Sequence, residues 1–411
     1  MEVELRASRY EEEKIIKDLG FSFVFSNSER NELGCPRRWY FSYSQNLRLN
    51  NIPHSFRYGI YWHNIMERLF LFWKLKDKDI FTISEDQVAY ELIKKSIAEI
   101  EADAKESGID PEPIISQLIE SLTGYLQLFG RISEEFKVLE VEVPMRFPVK
   151  NWKGEQFTSV VSLEDLGDRY IIANPDTLSS KRKEVRMPFY VIGRADAIVQ
   201  SRLSGEEFIY DHKTTSSVNR FMNTVEQDPQ LISYAAMFEY EKTEGSLQKY
   251  KDLNIGGVVY GLANNNKTSI PKTLKDGSLS QARHLKIPTW TYEKYIQSNG
   301  LDRSLYESHL SKIAYEVNPL WHKREWFPIY SYSIERWKQE SYGIARFIAD
   351  KYRCLATIPS GENWVAPRIP TCKTTGCCAY KEICVEDTPL KRSMNYEVEQ
   401  KLFWKKNPKW R

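Results

Sequence analysis

The chain has 411 residues, 41% of them apolar and 28% charged, with a net charge of +2; this composition excludes a disordered or fibrous chain and leaves room for one large or two ordinary globular domains. So small a positive excess excludes a uniformly basic nucleic-acid binder and confines any such surface to a local patch. No apolar run approaches a membrane span, the N-terminal MEVELRASRYEEEK has no signal-peptide core, and six cysteines in so long a chain do not make a disulfide scaffold, so a cytoplasmic protein with no membrane partner is expected.

Residues 1–30 read as a helix followed by the short apolar stretch FSFVF. Cys35 follows in GCPRRWYF, beside Arg37, Arg38 and three aromatic residues. Tyr58–Trp73 (YGIYWHNIMERLFLFW) carries a helical apolar stripe of Ile65, Leu69 and Phe72 with Met66 and Trp73. His63 lies near the start of that helix with Glu67 one turn on, and alone it would read as structural. Gln87–Ala104 and Pro113–Phe136 read as amphipathic helices, separated at Gly108 and the two prolines. Val138–Pro148 alternates as a strand does. Val149–Pro188 is polar, punctuated by Gly and Pro, with short β-like runs TSVVSL and RYIIA, and reads as an insertion in the sheet.

Val191–Thr215 (VIGRADAIVQSRLSGEEFIYDHKTT) is the stretch with chemistry in it. Arg202–Glu207 reads as a hairpin turn in which Gly205 is free to take positive φ. Folding that hairpin sets Asp196 beside Asp211. Two carboxylates at one place repel unless a cation joins them, and hard divalent cations favour oxygen ligands. Side chains alternate along a strand, so Lys213 points where Asp211 points. Two acids and a lysine converging suit metal-assisted phosphodiester hydrolysis. D-x-K by itself is also the sequence of many ordinary surface hairpins, so the rest of the chain has to carry the reading.

Asp228–Tyr240 (DPQLISYAAMFEY) reads as a helix with Pro229 at its start and Gln230 and Tyr234 on one face. Ile255–Leu262 reads as a buried strand. Gly261–Thr268 (GLANNNKT) is no phosphate-binding P-loop, because Asn266 replaces the second glycine and Pro271 follows where a helix should begin. Ser269–Lys286 is a polar loop with four Lys or Arg. Tyr292–Asn318 and Ser333–Cys354 read as helices, Gly361–Ile369 as a loop, and the chain closes on the basic KLFWKKNPKWR. Cys372, Cys377, Cys378 and Cys384 cluster in TCKTTGCCAYKEIC, with a spacing suited to zinc or an iron–sulfur cluster. A trio of them would need a remote fourth thiolate, for which Cys35 is the natural candidate, whereas Cys354 lies on a helix and reads as core. Such a clip, closing so long a loop, would restrict the unfolded chain strongly.

Taken in order, Cys35, Gly59-x-x-x-His63, Gly193-Arg194-Ala195-Asp196, Asp211-His212-Lys213-Thr214, Gln230-x-x-x-Tyr234 and Cys378-x-Tyr380-x-x-x-Cys384 span residues 35–384. The arrangement resembles the RecB-type nucleases of the PD-(D/E)XK superfamily, and within it the iron–sulfur branch that includes the AddB nuclease domain and the CRISPR-associated adaptation exonucleases. The resemblance implies an α/β, restriction-endonuclease-like core. Its mixed sheet would carry Val138–Pro148, Phe189–Gln200, Glu207–Lys213 and Ile255–Leu262, flanked by the His63 and Gln230 helices, with helical insertions and a cysteine-ligated metal clip. Three regions are expected: 1–136, helical, with the first cysteine and the histidine; 137–265, the nuclease sheet; 266–411, helical, with the cysteine cluster and basic tail.

The resemblance also implies roles. His63, Asp196 and Asp211, with the carbonyl of His212, would hold one or two Mg²⁺ or Mn²⁺ ions, Lys213 would orient water or offset charge at phosphorus, and Gln230 and Tyr234 would position Lys213 and the DNA. Arg37, Arg38 and Arg194 are phosphate-contact candidates, and Glu142 lies near the metal ligands or simply on a strand surface. Cys35, Cys372, Cys378 and Cys384 would ligate a [4Fe–4S] cluster, with Cys377 as a substitute ligand. The family pattern would put a cysteine at 375, where this chain has Thr375, and that departure keeps zinc as the alternative. The expected activity is a DNA exonuclease acting on single-stranded or free ends, partnered by a helicase or recombination protein. The competing readings are a non-catalytic nucleic-acid-binding subunit and an endonuclease partner in a CRISPR-like system; the intact Asp196, Asp211 and Lys213 argue against the first.

Overall fold

A computed structural model describes residues 19, 22–45, 47–49, 53–76, 85–106, 108–130, 132–162, 170–171, 184–225, 228–245, 247–282, 286–356, 378–380, 383–384, 393 and 396–398. In chain order these form β1 (Ser22–Ser26), α1 (Asn27–Glu32), α2 (Pro36–Trp39), a π-helical turn (Tyr40–Ser44), β2 (Leu47–Leu49), α3 (His54–Lys76), α4 (Glu85–Glu106), α5 (Glu112–Phe129) and α6 (Ile132–Glu135). Then come β3 (Phe136–Pro148), β4 (Thr158–Ser162), β5 (Tyr170–Ile171), β6 (Glu184–Ser201), β7 (Glu207–Thr215), α7 (Val218–Met222), α8 (Pro229–Thr243) and β8 (Ile255–Asn264). The last are α9 (Thr289–Ser298), α10 (Glu307–Glu316), β9 (His322–Pro328), α11 (Ser331–Ala356) and β10 (Tyr396–Val398).

Eight strands form one mixed sheet in the order β5-β1-β6-β7-β8-β9, with β3 and β4 also pairing with β6. The four expected strands are all present, and the 202–206 turn closes as expected, with Gly205 at φ 75°. The sheet takes strands from all three regions expected from sequence: β1 joins it from the first and β9 from the last. One face is covered by α3, α4 and α5, whose Trp62, Leu69, Phe70 and Tyr125 pack on Ala197, Val199 and Tyr210. The other face is covered by α8 and α11, with Tyr234, Met237, Trp337 and Ile348 on Val143, Ile198, Ile209 and Val258. Most of the aromatic side chains are thus core. Phe23, wholly buried and stacked 4.5 Å from Phe189, is one of many, each stabilising by roughly 1.5–3 kcal/mol.

Several expected elements differ. The helix expected over 113–136 ends at Phe129, where Gly130 at φ 57° caps it; the short α6 follows, and Phe136 pairs with Ser201 as the first residue of β3. The helix expected over 292–318 is two, α9 and α10. The carboxylate of Asp302 accepts the Ser304 amide and starts a separate turn between them. Within 149–188, β4 pairs with β6 and β5 with β1, so both β-like runs are strands. The helix expected before FSFVF lies outside the described residues except at Leu19, which is helical and buried.

Candidate active site

β6 is long enough to be paired differently along its length. One edge is filled by β3, from Tyr190 to Ser201, and by β4. The other edge is taken by two strands: parallel β1 against Phe189–Ile192, and antiparallel β7 against Ala197–Gln200. Between them Gly193-Arg194-Ala195-Asp196 has no strand partner on that edge among the described residues, so this motif spans a breach in the sheet. The β6–β7 ladder stops at Ala197↔Tyr210, one step before Asp196 would face Asp211. There the amide of His212 donates to the Asp196 carboxylate at 2.6 Å instead of to a strand. The carboxylate is part of the backbone bonding that holds the breach open, and it stands at the end of β7 that carries Asp211 and Lys213.

Asp196 Oδ2 also lies 3.4 Å from His63 Nδ1, which α3 delivers from the covered face. Across the breach Lys213 Nζ lies 2.8 Å from Asp211 Oδ2 but off the hydrogen-bonding angle, so this buried oxygen has no aligned donor. Lys213 Nζ is also 5.9 Å from the Tyr260 ring. Period-2 alternation turns His212 to the opposite face, against Phe70 at 4.8 Å and Tyr210 at 4.9 Å. Burial there pushes its pKa down to about 3 and keeps it neutral.

Two further carboxylates, Glu67 and Glu142, join the cluster. Glu142 is held at φ 53°, a left-handed conformation rare for a residue with a side chain, and its carboxylate meets Arg194 Nη1 at 3.2 Å. Burial, then the neighbouring Glu67 carboxylate, raise Glu142 to about 8. Burial likewise raises Glu67, against the pull of Arg194 and Arg68. The two acids at the breach part company. Burial, offset by Lys213 and helped by Asp196, pushes Asp211 up to about 6. Burial would raise Asp196 too, but the charge and hydrogen bond of His63 hold it well below the usual carboxylate range. His63 is raised: burial opposes its charge, and Asp196 overcomes burial.

Four carboxylates with Arg194, Lys213 and His63 crowd more negative charge into one place than the fold neutralises, and retained protons relieve it. A hard divalent cation relieves it as well. An imidazole nitrogen, carboxylate oxygens and the unaligned Asp211 Oδ2 form a donor set that suits Mg²⁺ or Mn²⁺. Among the described residues no three His, Cys, Asp or Glu side chains yet stand as a finished metal cage, since Asp211 is drawn to Lys213 and Asp196 to the His212 amide.

The glycines of the motifs let the elements approach. A Cβ on Gly59 would lie 3.0 Å from Thr214 Oγ1, so α3 rests on the strand that carries Lys213. A Cβ on Gly193 would lie 2.6 Å from Met237 Cε and 3.3 Å from Tyr234 Cε1, so α8 rests on the breach. Pro229 starts α8, the carboxylate of Asp228 caps it on the Gln230 amide at 2.9 Å, and Gln230 Nε2 donates to the Tyr234 hydroxyl. Behind β7, Tyr210 OH bonds Tyr125 OH at 2.8 Å and accepts from Arg324 Nε at 3.2 Å.

The structure therefore brings together His63, Asp196, Asp211, His212, Lys213, Gln230 and Tyr234. Arg194 is turned onto Glu142, within the carboxylate cluster. Arg38 pairs with Glu32, and Arg37 Nη1 donates to the Cys384 carbonyl at 3.0 Å and reaches its Sγ at 3.9 Å. The first and last cysteine-bearing segments therefore meet. Cys35, Cys378 and Cys384 form no metal-ligand group among the described residues, and Cys372 and Cys377 lie outside them. Glu67, Glu142 and Arg324 are the site residues that the sequence left without a firm role. The signal for Glu142 is its place in β3, on the rung that would face Asp196 between the Val141↔Ala197 and Val143↔Ala195 pairs.

A mixed sheet flanked by helices, broken at one edge where acids and a lysine converge, defines a hydrolytic enzyme of the nuclease class. The chain matches the family model of the PD-(D/E)XK nuclease superfamily over residues 32–385 and belongs to that superfamily. It matches none of the curated proteins.

Proposed function

We propose that the protein is a metal-dependent DNA nuclease, an exonuclease that works from single-stranded ends with Mg²⁺ or Mn²⁺. The observation that carries this reading is Asp196, fixed in the sheet breach by the His212 amide and facing the Asp211–Lys213 pair. His63, Asp196, Asp211 and the carbonyl of His212 would hold the ion, and the ion would supply Lewis acidity that lowers the pKa of water near neutral pH. Lys213, kept charged by Asp211 and Asp196 against the effect of burial, offsets negative charge as it builds at phosphorus. Tyr234 and Gln230 fix that face of the breach, and Arg194 balances Glu142 beside it. Arg37 and Arg38 are offered as phosphate contacts at the N-terminal segment. Cys35, Cys372, Cys378 and Cys384 make a structural [4Fe–4S] clip, with zinc as the alternative. The Arg37–Cys384 contact, which closes a span from residue 37 to 384, supports it.

The test is cleavage of end-labelled single- and double-stranded DNA with Mn²⁺ or with EDTA. Progressive shortening of the single strand from its end, abolished by EDTA, is expected. Cleavage that persists in EDTA, or no cleavage of any nucleic acid with Mn²⁺, overturns the reading.

A further inference from the structure

The lysine-bearing loop beyond β8 takes no part in the site above, yet it is tied to the strand that holds Lys213. β8 runs parallel to β7 until Asn264 faces Thr215, two residues past Lys213 and roughly 7 Å along the strand. Three successive asparagines then fix the exit. Asn264 Nδ2 donates to the Leu320 carbonyl at 3.1 Å, the Asn265 amide to Thr215 O at 2.9 Å, and Asn266 Nδ2 to Ser216 O at 2.6 Å. Gln117 Nε2 holds the Asn265 carbonyl from α5 at 2.9 Å. At the far end Leu279 is buried, its amide donates to Tyr306 OH at 2.9 Å, and Tyr292 OH donates to Ser280 O. Between these anchors a small hairpin closes through Thr273↔Leu279 and the Leu274 amide to Ser278 O at 2.7 Å.

Lys267, Lys272 and Lys275 stand exposed on this anchored loop, and none has a carboxylate partner among the described residues. The one acid among them, Asp276, is engaged by Ser278. In a chain whose net charge is only +2, three uncompensated lysines on a loop held at both ends are a concentrated positive surface. Ile270 and Leu274, 60% and 47% exposed, lie between the lysines and offer sugars and bases an apolar surface.

We infer that the Asn264–Ser280 loop is a phosphate-binding arm that holds the backbone of a single-stranded nucleic acid beside Lys213, without reading sequence. Naming the ligand rests on the nuclease reading; the anchoring and the charge do not. Each phosphate neutralised on a single strand adds about 0.7 to the slope of log K against log salt. Replacing all three lysines should therefore make the slope shallower by about 2 and weaken binding about tenfold near physiological salt.

The experiment is fluorescence anisotropy of a labelled single-stranded oligonucleotide, in EDTA, across a salt series. Wild type is compared with Lys267→Ala/Lys272→Ala/Lys275→Ala and with the charge-matched Lys94→Ala/Lys95→Ala/Lys105→Ala on α4. The shallower slope in the loop variant, with the α4 variant near wild type, is the expected result. An unchanged loop variant, an equal loss in both variants, or a wild-type protein that binds no oligonucleotide overturns the arm. Lys272→Glu alone, read the same way, replaces the triple variant if that one melts early. Cleavage with Mn²⁺ is scored separately. An inactive protein that shows the split keeps the arm and sinks the nuclease, and an active one without the split does the reverse.

Discussion

Lys213 and Asp196 should fail in different ways when replaced. Lys213 acts mostly on charge that appears in the transition state, where one positioned group is worth about 3–4 kcal/mol, or roughly 10²–10³ in rate. Lys213→Ala should therefore lose cleavage by that factor and keep oligonucleotide binding. Asp196→Ala should lose cleavage and Mn²⁺ affinity together, measured by calorimetry alongside the end-labelled assay. Near-normal rates in either variant would rule out this site. A buried histidine away from the breach governs acid stability. His322 lies between Trp62 and Trp290, and burial pushes it down to about 3. Once unfolded, its imidazole takes up a proton below about 6.5, so between those values the unfolded state binds more protons and stability falls as pH falls. The loss is about 1.4 kcal/mol per pH unit for this one group. The stability of His322→Gln should fall less steeply from pH 6 to 4 in urea titrations, and parallel curves would refute the assignment. At this scale the sequence was legible where period-2 alternation applied, and so Asp196, Asp211 and Lys213 could be placed. Glu142 was legible only as near the metal ligands or on a strand surface, because its exact place depends on a left-handed φ that no residue pattern announces.

The approach of whole elements makes a separate prediction. α3 can rest on β7 only because residue 59 has no Cβ, with Thr214 Oγ1 in the way. Gly59→Val should cost about 1–3 kcal/mol by overpacking and should move His63 off Asp196. Thr214→Ala in the same chain should return part of that stability, since contacting pairs couple by about 0.5–3 kcal/mol. Additive melting shifts in the double variant would show that the two do not touch. α3, α5, α8, β3, β6, β7 and β8 were legible from their apolar patterns, a helical stripe in α3 and α5 and a continuous apolar run in β8. β9 was missed: HKREWFP carries charges at three successive positions, 323–325, as a strand paired, among the described residues, only with β8 at the sheet edge can tolerate. β1 was visible as an apolar run, but its parallel pairing to β6, which creates the breach, is a long-range choice that the local sequence does not state.

On the scale of the molecule, the proposed cysteine clip predicts that Cys35→Ser melts at lower temperature than wild type and loses the brown colour of an iron–sulfur centre in anaerobic preparations. A colourless wild type with stoichiometric zinc would retain the clip and exclude the cluster, and a Cys35→Ser protein of unchanged melting temperature and metal content would exclude both. The C-terminal cysteine-bearing segment docks on the N-terminal one through protein contacts. Tyr380 OH donates to the Leu47 carbonyl at 2.9 Å, the Tyr380 and Tyr396 rings stack at 5.7 Å, and β10 pairs with β2. That pairing joins residues 47–49 to residues 396–398, and it sets a schedule for synthesis. A ribosome delivers the acids and the lysine of the breach well before it delivers β9 or β10. For that interval the nascent protein holds its hydrolytic groups on a sheet with β8 bare at its edge and the N-terminal cysteine segment without its cover. Completion of the sheet edge and of that cover is thereby deferred until the ribosome has passed residue 398.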